Sequence, residues 1–253
     1  MTIYLEKGRH AFPQEGMCLM EAVAFIAGED FTDRPECVSP VLAEFGRILN
    51  DFLSDDARQQ LIPLIPKLVG TVNHEQDQQD GLRCAHWLAA HWSPTWLDLV
   101  PELESHATAL RAIPAPKTWT DVEDWFAVID AAEAAAWAAA QDATQDATQD
   151  AAWEAAWEAA WAVSANAAWE AAREAAWVAA WEAAWAASGN AARVTAWASA
   201  YAATRTTDAA RAAARAAGGA VRTTTRDSLQ PTALQLQQDS IVLFTELVEG
   251  RHK

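Results

Sequence analysis

The chain of 253 residues has only three cysteines, Cys18, Cys37 and Cys84, an odd number at wide spacings. That excludes the dense disulfide framework of a small secreted domain. Basic residues are scarce: 18 Lys and Arg stand against 35 Asp and Glu, a formal net charge of −17. A chain this acidic does not coat nucleic acid or an anionic membrane non-specifically. No run of about 18 apolar, uncharged residues occurs, so no membrane span is expected. The first residues mix Glu6, Lys7 and Arg9 without the apolar core of a signal peptide, and the expected compartment is the cytoplasm. A Walker loop, G-x-G-x-x-G, G-x-S-x-G and H-E-x-x-H are all missing, so the common motifs for nucleotide binding, acyl transfer and zinc proteolysis are not available.

What the chain does have is alanine and tryptophan. Alanine fills 35 of the 70 residues 131–200. Trp137, Trp153, Trp157, Trp161, Trp169, Trp177, Trp181, Trp185, Trp197 and Tyr201 share one four-residue register. A longer period underlies it: residues 151–174 and 175–198 align without gaps and match at 16 of 24 positions. Residues 127–150 and 199–222 read as degraded copies. Alanine has the highest helix propensity, so the unit is expected to be helical.

A four-residue step does not match a 3.6-residue turn, and each successive Trp is rotated by about 40°. Three can share a face and nine cannot. Ser164-Ala-Asn166 and Ser188-Gly-Asn190 follow the third Trp of each copy and offer cap residues that would reset the phase. The expected helices are 121–140, 148–163, 167–187 and 191–217. The competing geometry is a long rod whose Trp stripe is covered by a partner or a second copy. Residues 121–198 carry 13 acids and 2 bases; Arg205, Arg211, Arg215, Arg222 and Arg226 would partly neutralise them if the chain folds back.

Before the repeat, Gly16 to Gly28 encloses a helix apolar nearly all round, expected to be buried and to end at Gly28. Thr2–Glu6 suits a short strand or an extended arm. Ser39-Pro40 is a helix start signal that opens Val41–Leu53, and Ser54 with Asp55 and Asp56 opens the next helix. Pro63 and Pro66 must break that helix. Residues 71–81 read as a polar loop, Leu82–His91 as a short helix, and Ser93-Pro94 as a second start signal leading Thr95–Ile113. Pro114-Ala-Pro-Lys is the clearest linker, and Thr120-x-x-Glu123 has the capping-box pattern. Pro231 opens a last amphipathic helix, Leu234–Val248, expected to return and pack on the rest.

No catalytic residue and no cofactor is expected. Were a metal bound, the candidate ligands are His10, Cys18 and Cys37, with Glu21 and Asp33 nearby in sequence; closed zinc sites usually show tighter ligand pairs. The competing readings are buried small hydrophobes, a thiol pair of Cys18 and Cys37, and a nucleophilic cysteine. Glu21, one turn after Cys18, suits a cap or an ion-pair partner. Cys84, His86 and His91 lie on one helix, with His86 pointing away from the other two and Trp87 at i, i+4 from His91. The candidate interaction residues are Trp153, Trp157, Trp169, Trp177 and Trp181 with Glu154, Glu158, Glu170 and Glu182. The indoles serve as core, as an interface, or as a stacking surface. The glutamates form a solvated face or imitate a phosphate array.

Gly16-Met-Cys18-Leu-Met-Glu21-Ala-Val-Ala-Phe-Ile-Ala-Gly28-Glu, followed by Asp33-Arg-Pro-Glu-Cys37-Val-Ser-Pro40-Val-Leu, resembles uncharacterised actinobacterial and phage proteins. These share an N-terminal helical half, an Ala-rich half of Ala-Ala-Trp/Arg tetrads and a C-terminal helix like Pro231–Val248. The family often has His where this chain has Arg34. The resemblance implies a phage or bacterial setting and carries no activity with it.

Together these features lead us to expect an all-α protein: a helical domain at 1–116, an Ala/Trp-rich helical repeat, bundle or solenoid, at 117–226, and a docking helix at 227–253. The expected function is non-enzymatic binding or scaffolding of a protein partner or of the chain itself, without direct nucleic-acid or membrane binding. The alternatives are an acidic nucleic-acid mimic, a Cys-centred metal protein or enzyme, and a small-ligand binder with a Trp-lined pocket.

Overall fold

The computed structural model describes residues 3–145, 211 and 229–252. Among them the regular elements are all helical, with no strand. They form two compact units, residues 3–80 with 229–252, and residues 81–145. The expected helices 148–163, 167–187 and 191–217, and the Ser-x-Asn breaks of the repeat, lie outside the described residues.

The first unit opens with an extended arm. Leu5 N–H donates to Gln59 Oε1 and Gln59 Nε2 returns a bond to Leu5 O, both at 2.9 Å, as a neighbouring strand would. Helix α1 (Leu19–Ala27) ends where Gly28 adopts φ 75° and ψ 22°, a left-handed cap that only glycine takes without strain. Its first turns are buried, but Phe25 and Ile26 are 43% and 42% exposed. The apolar run is therefore not buried all round as expected. Helix α2 (Pro40–Phe52) is capped by Ser39, whose hydroxyl accepts from Leu42 N–H.

Ser54 likewise caps α3 (Asp55–Arg58). Pro63 lies in the 3-10 turn Gln59–Leu64 that follows, and α4 (Ile65–Leu68) completes the segment. A proline inside a helix removes an amide donor and clashes with the preceding turn, which is why only short pieces form here. Arg58, 2% exposed, donates from Nε to Asn50 O and from Nη2 to Leu53 O, satisfying the last carbonyls of α2.

Residues 71–81 are not a loop throughout. Helix α5 (His74–Trp87) starts at His74, because Asn73 Oδ1 accepts from Gln76 N–H at 3.1 Å and its carbonyl from Asp77 N–H at 2.9 Å. This is ordinary asparagine capping in a stretch whose polarity reads as loop. The last described helix, α9 (Gln230–Gly250), has Pro231 in its first turn and buries Leu236, Ile241, Leu243, Phe244, Leu247 and Val248. It packs on α2 and α4. Gly46 sits at the tightest crossing: a Cβ there would meet Met20 at 2.9 Å, Phe244 at 3.0 Å and Leu19 at 3.1 Å. Phe45 and Phe244 meet with ring centroids 5.1 Å apart at 55°, a tilted pair that adds about 0.5–1.5 kcal/mol beyond its burial.

In the second unit α5 continues into a π-helical turn, Leu88–Trp92, and then α6 (Ser93–Leu97). Ser93 has φ −60° and ψ −49°, so Ser93-Pro94 does not start a helix as expected. The widened π turn keeps the chain helical up to the proline. The expected helix Thr95–Ile113 is instead two pieces, α6 and α7 (Glu104–Arg111), separated by the 3-10 turn Pro101–Leu103. Val100 before Pro101 is extended, φ −119° and ψ 106°, the conformation a proline imposes on its predecessor.

The 3-10 turn Thr120–Trp125 leads into α8 (Phe126–Gln145). A capping contact forms between Thr118 and Asp121, while the expected Thr120–Glu123 pair rests on a Glu123 side chain outside the described residues. Asp121 Oδ2 accepts from Lys117 N–H and Thr118 N–H at 2.7 and 2.9 Å, and Asp121 N–H faces Thr118 Oγ1 at 3.4 Å. Trp92, Trp96, Trp119 and Trp125 are buried and form part of the core of this unit.

Candidate functional site

The polar residues of the N-terminal motif gather around α1. Cys18 is its N-cap residue and Glu21 its third helical position, and the two form a capping box. Glu21 Oε2 accepts from Cys18 N–H at 2.8 Å and from His10 Nδ1 at 2.8 Å, and Oε1 accepts from His10 N–H at 2.7 Å. The carboxylate is fully buried. Burial pushes its pKa up, but the bonds from Cys18 N–H, His10 N–H and the His10 ring outweigh this and hold it below the usual carboxylate range. Glu21 is therefore both the cap of α1 and the hydrogen-bond partner of the His10 ring.

Around this core, Asn50 ties three elements together: its amide donates to Glu6 O and accepts from Leu19 N–H. At the other end of α1, Glu29 accepts from Glu36 N–H and Cys37 N–H at 2.8 and 2.9 Å, closing the loop that contains Asp33 and Pro35. Arg47 Nη1 donates to Asp33 O, and Arg9 approaches the Asp33 carboxylate at 3.8 Å.

The three cysteines are free thiols. Burial pushes the Cys18 thiol up to about 12, reinforced by the Glu21 charge. Burial and the neighbouring Glu29 carboxylate also raise Cys37. Nucleophilic and metal-binding cysteines work as thiolates, which positive surroundings favour and these do not. The structure thus brings His10 and Cys18 together on Glu21 and gives Cys37 a different partner, Glu29. Among the described residues no group of three or more His, Cys, Asp or Glu side chains is arranged to hold a metal ion.

Cys84 is buried. His86 Nε2 lies 2.9 Å from Ile113 O, and its ring meets Trp125 at 5.7 Å. The Trp87 and His91 rings meet at a tilt of 36° with centroids 5.6 Å apart, as their i, i+4 spacing suggests. The interaction candidates Trp153, Trp157, Trp169, Trp177, Trp181, Glu154, Glu158, Glu170 and Glu182 lie outside the described residues.

Sequence reasoning missed a buried charge cluster. Arg251 donates from Nε and Nη2 to Asp80 Oδ2 at 2.9 and 2.5 Å, from Nη2 to Asp77 Oδ1 at 2.7 Å, and from Nη1 to Thr71 O at 2.6 Å. Ser39 Oγ donates to the same Asp77 Oδ1 at 2.5 Å. All three charged side chains are 3% exposed or less. Asn73-x-x-Gln76 was the legible signal: a cap there starts a helix that places Asp77 and Asp80, three residues apart, on one face. Nothing nearby in sequence points to Arg251. Among the described residues no helix is long and apolar enough to cross a membrane. No protein-family model matches the chain, and neither a curated protein nor a solved structure matches it.

Proposed function

We propose that this chain is a non-enzymatic binding or scaffold protein, phage-encoded or bacterial, that engages a protein partner or a second copy of itself through its acidic, tryptophan-rich repeat. The observation that carries this reading is the sequence of the repeat: eight tryptophans of the shared register fall within residues 153–197, in a stretch 121–198 with 13 acids and 2 bases. Indoles in that number, left in water, form an aggregation-prone surface. A bundle or solenoid-like fold consumes some of them, and the interaction candidates Trp153, Trp157, Trp169, Trp177 and Trp181 with their neighbouring glutamates serve the interface. The N-terminal motif supports the reading indirectly. Glu21, Glu29 and Ser39 serve as helix caps and loop ties, and the thiols of Cys18 and Cys37 are raised away from thiolate chemistry.

The test is sedimentation velocity of the full chain combined with acrylamide quenching of its tryptophan fluorescence. Self-association or partner binding that shields indoles, and is lost in Trp153→Ala/Trp157→Ala/Trp181→Ala, is the expected result. A chain that stays monomeric with every indole already shielded overturns the reading, because the fold then uses them all. The charge balance of residues 121–198 favours one second reading, an acidic mimic of nucleic acid. Binding to a basic DNA-binding protein that weakens with salt and is competed by DNA is its distinguishing outcome.

A further inference from the structure

His10 stands between two carboxylates of different character. Behind it, buried Glu21 takes the Nδ1 proton at 2.8 Å. A carboxylate only accepts, so the proton belongs to Nδ1, and in the neutral ring the lone pair is at Nε2. In front, Nε2 faces Glu6 Oε2 at 3.7 Å, too far for a hydrogen bond. The Glu6 side chain is 49% exposed and that of His10 12%, so water and ions reach the pair from the Glu6 side. Gly16 borders both atoms. A Cβ at this position would come 2.7 Å from Glu6 Oε2 and 3.0 Å from His10 Nε2, and its φ of +129° already disfavours any other residue.

We propose that His10 Nε2 and the Glu6 carboxylate are the two protein ligands of an open divalent transition-metal site, with water completing the coordination and Glu21 acting as the positioning residue for His10. A ligating histidine commonly gives its other ring N–H to a carboxylate, which fixes the tautomer and raises the basicity of the ligating nitrogen. That is the arrangement His10 and Glu21 already have. Bonds of about 2.0–2.2 Å at a tetrahedral angle put two donors about 3.4 Å apart, within a few tenths of an ångström of the 3.7 Å here.

One imidazole and one carboxylate select Zn2+, Ni2+ or Cu2+ over Mg2+ and Ca2+, which prefer all-oxygen sets. With a neutral ring, Glu6 and Glu21 leave two negative charges beside the site, and a divalent cation balances them. Cys18 is not a ligand, since its side chain turns back to cap α1. Cys37 is engaged with Glu29. This inference is independent of the partner-binding reading.

Equilibrium dialysis of the full chain against ZnCl2 near neutral pH tests it, with CuCl2 and electron paramagnetic resonance as a second readout. Wild type is expected to take up one equivalent of Zn2+ more than Glu6→Gln or His10→Ala. The Cu2+ spectrum should carry nitrogen coupling that His10→Ala removes and Glu6→Gln retains. Glu21→Gln, which keeps both ligands, should weaken binding about 10–100-fold. Glu6 is exposed enough for its variant to fold, so Glu6→Gln decides the matter even if His10→Ala is unstable. Equal zinc uptake by wild type and Glu6→Gln overturns the proposal.

Discussion

Two guanidinium nitrogens of Arg251 converge on one carboxylate oxygen of Asp80, Nε at 2.9 Å and Nη2 at 2.5 Å, with both side chains almost fully buried. A residue near the C-terminal end is thereby fastened to the first turns of α5, 171 positions earlier. Removing one partner of such a cluster leaves charge buried without compensation, which costs about 3–5 kcal/mol. Arg251→Met should therefore lower the stability of the first unit by that amount, read as a fall in melting temperature and lost hydrogen-exchange protection in α9. Adding Asp77→Asn and Asp80→Asn should recover part of the loss, since it removes the uncompensated charge. No recovery would show that packing of the Arg251 stem dominates.

This cluster also shows where the sequence ceases to be legible. Helix starts encoded within a few residues, at Ser39-Pro40 and Ser54, and the stop at Gly28 are readable because donor, acceptor and cap are neighbours in the chain. The start at Asn73 has a local signal in Asn73-x-x-Gln76, but the polarity of residues 71–81 reads as loop, because it belongs to a helix whose buried acids find their cation far away in sequence. Ser93-Pro94 misled for a different reason. The Ser-Pro pattern is there in the sequence, but the π-helical turn Leu88–Trp92 already supplies a helical entry and Ser93 itself is helical. At the candidate site, the Cys18–Glu21 spacing suggested a cap. Glu6 lies four residues before His10 but in no regular element, so spacing alone did not mark the pair, and Gly16 meets them only when the loop closes on α1.

Gly46 makes a second prediction. Glycine inside a helix is worth about 1 kcal/mol less than alanine by propensity alone, so Gly46→Ala would stabilise an isolated α2. In the folded chain the added methyl meets Met20, Phe244 and Leu19 at 2.9–3.1 Å. Only the Met20 terminus can swing aside readily. Overpacking costs about 1–3 kcal/mol, so the variant should be destabilised overall. A melting temperature at or above wild type would mean that α1, α2 and α9 separate easily at this crossing.

The cysteines give a third. Alkylation needs the thiolate, and Cys18 is pushed up to about 12 while buried. In the native protein at mildly alkaline pH, iodoacetamide should modify the half-buried Cys37 first and slowly, since burial and Glu29 raise it as well. Cys18 and Cys84 should react only on unfolding, which peptide mass mapping with and without urea distinguishes. Fast native labelling of Cys18 would reopen a nucleophilic role for it.

Glu21 ties the stability of the N-terminal motif to pH. Its folded pKa is lowered, because the bonds from Cys18 N–H, His10 N–H and the His10 ring overcome the opposing effect of burial. A lowered folded pKa means the unfolded chain binds the proton more readily. The stabilisation is then fully present above the unfolded value of about 4.3 and is lost as pH falls through the lower folded value. Glu21→Gln lacks the charge at every pH and keeps one acceptor. Wild type should therefore exceed Glu21→Gln in stability at neutral pH, and the gap should narrow below about pH 4, as urea midpoints measured across the acid range would show. A gap that stays constant through that range would mean the side chain acts by shape and neutral hydrogen bonding, and that its charge contributes nothing to holding the arm, α1 and His10 together.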